Sequence, residues 1–253
     1  MTKLQKFLQT RTITDMLILT AYKDFKKFMC YDELPNFVVN YVDSTVSPQI
    51  NYNAQILPYH KPIILNVNIN SIKSENFKAT LVHEFTHLYD YSIISKWYTD
   101  IEMKDFMKLY SEYHASQIQI LYNYKIVETV QDIVDKTKVK FEWVHLPVQR
   151  AQQYGKYIEK YCNNPSTENF YDMKVTYMYA CGASSLLSTI LDRPYKMATF
   201  INAYKSEMSK IKELLDSVGY KDIPEKSILD SVKTLNNKTD EIYIEKVKLN
   251  KLP

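Results

Sequence analysis

The residues of this chain best suited to chemistry lie in Leu81-Val82-His83-Glu84-Phe85-Thr86-His87-Leu88. Two histidines stand four residues apart, with a glutamate directly after the first, in a chain that has only five histidines among 253 residues. On an α-helix, positions i and i+4 lie about 40° apart on one face, so both imidazoles can reach one metal ion. Glu84 then sits to the side of that face, where a carboxylate meets a water on the metal rather than the metal itself. Two ordinary surface histidines would produce the same pentapeptide, and a third ligand separates the two readings.

The segment carrying the motif has to be a helix for this to work, and its apolar residues agree. Phe77, Leu81, Phe85 and Leu88 fall at i, i+4, i+8 and i+11, a stripe that leaves both histidines outside it. A second helical pattern runs from about Ile101 to Tyr124 and contains Glu112. Ala115 and Ser116, one turn on, are small, so this face suits close approach to the first helix. The stretch from Asp90 to Asp100 is long enough to reverse the chain between the two helices. Glu112 is the candidate third ligand; most helical glutamates are merely solvated.

His83-Glu84-x-x-His87 followed by a helical Glu112 resembles the gluzincin zinc metallopeptidases. The Glu-x-x-Ala form at Glu112 to Ala115 is most similar to small peptidases of phages and integrative elements, the ImmA/IrrE-type group. The resemblance spans roughly Ile63 to Ile120. It implies one Zn²⁺ per chain held by His83, His87 and Glu112, with Glu84 as general base in the hydrolysis of a protein or peptide substrate. Ser116 departs from the pattern, because several gluzincins place an acidic residue there. Two His and one carboxylate leave a fourth position open for water. The partner for the developing oxyanion is left open between His145, His114 and one of the tyrosines, although His114 points to a different helical face from Glu112. Asp90, three residues after His87, is a candidate to accept the other N–H of that imidazole. His60 is assigned no role.

Upstream, an amphipathic helix is expected from Ile13 to Cys30, capped by Thr14 or Asp15, with Leu17, Ala21, Phe25 and Phe28 buried. Three strands follow. Phe37 to Val42 is β-rich, Ile50 to Ile56 alternates, and Leu65, Val67 and Ile69 alternate with asparagines, which predicts a sheet with one wet face. If the Ile63–Asn70 strand is the edge beside the cleft, an extended peptide pairs with it; otherwise it is internal and never meets substrate. Ser71 or Ser74 starts the motif helix, with Glu75 in its first turn. Helix, strands, motif helix and glutamate helix together predict an α+β, zincin-like domain over 1–125. Residues 126–253 are expected to form a mainly helical lobe. Its helices fall near 126–134, 148–162, 170–191, 195–218 and 227–235, with a strand at 139–145 and an alternating tail at 241–248 that is read as a terminal strand or a flexible end.

Composition narrows the function classes. Lys and Arg total 32 against 29 Asp and Glu, a net +3, which argues against nucleic-acid binding driven by charge. Three glycines exclude a glycine-rich phosphate loop. Cys30, Cys162 and Cys181 are far apart, with no Cys-x-x-Cys, which reads as reduced thiols and a cytoplasmic location. Neither a signal peptide nor a membrane-spanning run is read, and oligomeric state is not legible. Two other functions compete with the peptidase. One is a catalytically inactive zincin-fold metal- or protein-binding regulatory module of a phage or mobile element. The other is a helical interaction protein with a fortuitous motif.

Overall fold

A computed structural model describes residues 3–123, 156–191 and 205–248, apart from positions 30, 32–33, 51, 75, 158, 161–162, 165 and 221. The expected features at 126–134, 139–145 and 148–155, and His145 with them, lie outside the described residues. The order is α1 (Lys3–Met29), β1 (Phe37–Val42), β2 (Ala54–Leu57), β3 (Ile63–Asn68), α2 (Phe77–Ile94) and α3 (Asp100–Asn123). Then come α4 (Thr167–Leu191), α5 (Lys205–Asp216) and α6 (Lys226–Lys248). This is an α+β molecule with a small mixed sheet and mostly helical content.

Helix α1 begins about ten residues before the expected start. Thr14 is not its cap: the side chain is buried and its hydroxyl donates to the Thr10 carbonyl one turn back, 2.8 Å. Ile18, Ala21, Phe25, Phe28 and Met29 form the buried face. Phe25 packs on Phe85 and Tyr89 of α2 at centroid distances of 6.1 and 6.2 Å, and Tyr22 meets Phe85 edge-on at 5.6 Å. The back of the motif helix is thus held by an aromatic cluster.

The sheet has the order β1-β3-β2, with β1 parallel and β2 antiparallel to β3. Strand β3 is therefore central, which removes the edge reading of Ile63–Asn70 and gives that position to β2. The register pairs Ile56 with Leu65 and Ala54 with Val67. The expected wet face is absent on β3. Asn66 and Asn68 are buried, and their amides are satisfied by Asn40 (2.8 Å) and by the Tyr52 carbonyl (3.2 Å). Strand β2 is shorter than its alternating pattern, starting at Ala54 rather than Ile50.

Helix α2 starts at Phe77, later than either serine, and Asn76 makes no side-chain cap bond. Phe77, Leu81, Phe85 and Leu88 are all fully buried, as their spacing predicts. Two apolar cores result. The first gathers α1, the sheet and α2 with Ile118 and Leu121 of α3 and Leu186 of α4. The second gathers the start of α3 with α4, α5 and α6. Each core draws residues from both halves of the chain. Helices α3 and α4 touch at Gly182, where a Cβ would lie 2.0 Å from the Tyr113 carbonyl oxygen and 2.1 Å from Ser116 Oγ. The smallness of Ser116 therefore serves α4. The tail 241–248 is helical: Leu229, Val232, Asn236, Thr239 and Tyr243 are buried at helical spacing, and Tyr243 stacks on Phe170 at 4.1 Å.

Candidate metal centre

Helix α2 brings His83 and His87 to one face, and α3 lays Glu112 across them. The two Nε2 atoms are 3.0 Å apart. Glu112 Oε2 lies 3.4 Å from His83 Nε2, and its Oε1 lies 3.7 Å from His87 Nε2. Zinc bonds of about 2.0–2.2 Å place tetrahedral ligands roughly 3.3–3.6 Å apart, so the two imidazoles and the Glu112 carboxylate that spans them, one oxygen toward each, are close enough together to share one ion. No metal ion is present in the structure.

The protonation states suit such a site. Burial, with smaller contributions from His83 and Lys108, outweighs the attraction of Glu112 and lowers the His87 imidazole to about 3, so its Nε2 keeps a free lone pair at neutral pH. Burial works against ionisation of Glu112, but the two imidazoles and Lys108 outweigh it and hold the carboxyl at about 2.

Behind His87 runs a polar chain that orients it. Its Nδ1 is 2.7 Å from Ser111 Oγ, and the Ser111 hydroxyl donates to Asp90 Oδ2 at 2.7 Å. Since that hydroxyl hydrogen is already committed, Ser111 accepts from His87, which fixes the Nδ1–H tautomer and leaves Nε2 for the metal. Asp90 Oδ1 meets His114 Nδ1 at 2.8 Å, and His114 Nε2 donates to the Tyr220 carbonyl at 2.7 Å. The two acceptors at its ring nitrogens, with Asp90 opposing the effect of burial, raise the His114 pKa. Asp90 therefore does not accept the His87 N–H itself, as its spacing suggested; Ser111, which adjoins Glu112, stands between them. His114 lies buried behind the site and off the cleft. Tyr179 of α4 packs its ring on His83 at 5.3 Å.

Glu84 sits beside the histidines, the donor atoms of all three lying within 4.8 Å of one another. That proximity makes two carboxylates candidates for third ligand. Glu112 faces both Nε2 atoms, whereas Glu84 Oε2 accepts the Ile56 backbone N–H of β2 at 2.8 Å and so turns toward the strand. Glu112 is thus the carboxylate that faces both imidazole nitrogens, and Glu84 is the one held by the strand. Desolvation raises the Glu84 carboxyl to about 7, against the lowering by His83 and the Ile56 amide.

A cleft of about 980 Å³ opens over these groups. Strand β2 and the turn after it, including Tyr59, His60 and Lys61, form one wall, and Ile101, Lys108 and Tyr171 stand on the other side. Among the described residues, no helix is long and apolar enough to cross a membrane. No protein-family model, curated protein or solved structure matches this chain.

Proposed function

We propose that this chain is a zinc-dependent metallopeptidase of the gluzincin kind, with a zincin-like arrangement of edge strand, motif helix and glutamate helix. The observation that carries the reading is the convergence of the His83 and His87 Nε2 atoms, 3.0 Å apart, with one Glu112 oxygen 3.4 Å from the first and the other 3.7 Å from the second, and a buried glutamate beside them. Zinc held there supplies Lewis-acid activation of a water and of the peptide carbonyl. The rest is done by the chain. Ile56 N–H ties down Glu84 Oε2, which leaves Oε1 to take the proton of the attacking water and hand it to the leaving amine. A carboxyl near 7 is matched to that exchange.

Strand β2 supports the same reading. Ile56 N–H points away from β3, and by the alternation of an antiparallel pair the Ile56 and Ala54 carbonyls point off the free edge too. An extended peptide can pair with that edge and carry one of its carbonyls past Glu84.

Metal content and peptide hydrolysis test the proposal. The expected result is about one zinc per chain, lost in Glu112→Ala, with hydrolysis that Glu84→Gln abolishes while zinc stays. Zinc without hydrolysis in either form would leave a metal-binding regulatory module. No zinc after reconstitution would sink both readings.

A further inference from the structure

The outer cleft wall holds a cation that the hydrolytic reading does not use. Lys108 stands on α3 four residues before Glu112, just over one turn and about 6 Å along the same face. Its side chain is exposed and lines the cleft. The ammonium lies 5.2 Å from the centre of the Tyr171 ring, a half-buried α4 residue that lines the cleft too, and the ring face fixes its position. Glu112 faces the two imidazoles with its two oxygens, which leaves the Lys108 charge directed at whatever enters. Lys61 adds a second positive charge from the turn after β2. Asp100, the acidic lining residue apart from Glu84 and Glu112, accepts the Tyr91 hydroxyl at 3.1 Å.

We propose that the cleft selects its substrate by a carboxylate within two residues of the attacked bond, read by the Lys108 ammonium seated on Tyr171. The inference deepens the peptidase reading and rests on it for the bound chain being a peptide. The spacing follows from strand geometry. Residues of an extended peptide on β2 advance about 3.4 Å each, so one helical turn along α3 corresponds to between one and two residues. An acidic side chain and a free C-terminus present the same group to Lys108, which acts here as a specificity residue and not in bond cleavage.

The test measures binding and cleavage separately. The binding probes are a fluorescein-labelled nine-residue peptide with central glutamates and its glutamine counterpart, each as C-terminal acid and amide. They are titrated against the metal-free full chain at low ionic strength by fluorescence anisotropy. The glutamate peptide is expected to bind wild type about tenfold tighter than the glutamine peptide. Lys108→Glu should reverse that order, and Lys73→Glu, the same charge change away from the cleft, should keep it. A preference that instead follows the free C-terminus assigns the carboxylate to a chain end and also supports the proposal. Equal binding by wild type, or a preference unchanged in Lys108→Glu, overturns it. In the second arm a mixed peptide digest is exposed to the zinc-loaded protein, and cut sites should be enriched in acidic groups within two residues. Cleavage without that enrichment overturns this inference and leaves the peptidase reading standing. Charge-dependent binding without Glu84-dependent cleavage keeps Lys108 as a carboxylate site and sinks the peptidase reading.

Discussion

Glu84 is a carboxyl buried beside its own backbone anchor, and its stability signature can be separated from its chemistry. Its folded-state pKa is raised from 4.5 to about 7, so its contribution is fully present below about 4.5 and is lost as pH rises through 7. A rise of that size costs about 3 kcal/mol at alkaline pH. Glu84→Gln keeps an acceptor for Ile56 N–H and removes the charge. In the metal-free protein it should raise the melting temperature at pH 8, with the gain nearly gone by pH 4.5. His87 behaves oppositely: lowered from 6.5 to about 3, its contribution is present above 6.5 and fades as pH falls toward 3. Calorimetry of the two proteins across this range checks both signs. Ser111 holds the His87 ring through its Nδ1–H, and Ser111→Ala, which frees His87 to rotate, should weaken zinc binding by about 10–100-fold in a competitive chelator titration. The two histidines and Glu84 were readable because the motif is short and local. Ser111 was not, because its role depends on which face of α3 meets α2.

At the scale of elements, α2 works because its two faces are separate. Phe85, fully buried under Tyr22, Phe25 and Phe37, lies between the two histidines in sequence and on the other side of the helix. Phe85→Ala should cost about 3–5 kcal/mol in denaturant unfolding. Gly182 sets how near α4 comes to α3, the helix that carries Glu112. A methyl there overlaps the Tyr113 carbonyl, which cannot yield as a flexible side chain would. Gly182→Ala should destabilise by about 1–3 kcal/mol and also weaken zinc binding, read by thermal unfolding and metal titration. The 3.6-residue period made α3 legible almost to its ends and α2 legible apart from its start, which falls at Phe77 rather than after Ser71 or Ser74. The tail of α6 was misread because Ile242 and Ile244 alternate with Glu241, Tyr243 and Glu245, whereas the buried positions include Asn236 and Thr239, polar residues that a hydrophobic pattern does not count. Thr14 misled in the same way, since a buried threonine bonding back to its own helix resembles a cap in sequence.

For the whole molecule, α3 is shared by both cores, through Leu109 and Tyr113 on one side and Ile118 and Leu121 on the other. A metal joining Glu112 to His83 and His87 would tie that shared helix to α2. Zinc at a thousandfold excess over its Kd should stabilise by about 4 kcal/mol. Chelation should therefore lower the melting temperature by roughly 10 °C for a chain of this size, and zinc should restore it. Calorimetry with and without chelator makes the comparison. A melting temperature indifferent to chelation would speak against the three-ligand site.

Sequence alone determined the local terms: which residues can ligate, that they share a helical face, that the other face is apolar, and that strands precede helices. These depend on periods of two and 3.6, which repeat within a few residues. Tertiary structure decided the rest. It made β3 central and β2 the edge, brought Ile56 N–H to Glu84, routed Asp90 to His87 through Ser111, and set Tyr171 beneath Lys108. Each of these joins residues from different elements, and such pairings follow from how whole faces bury one another.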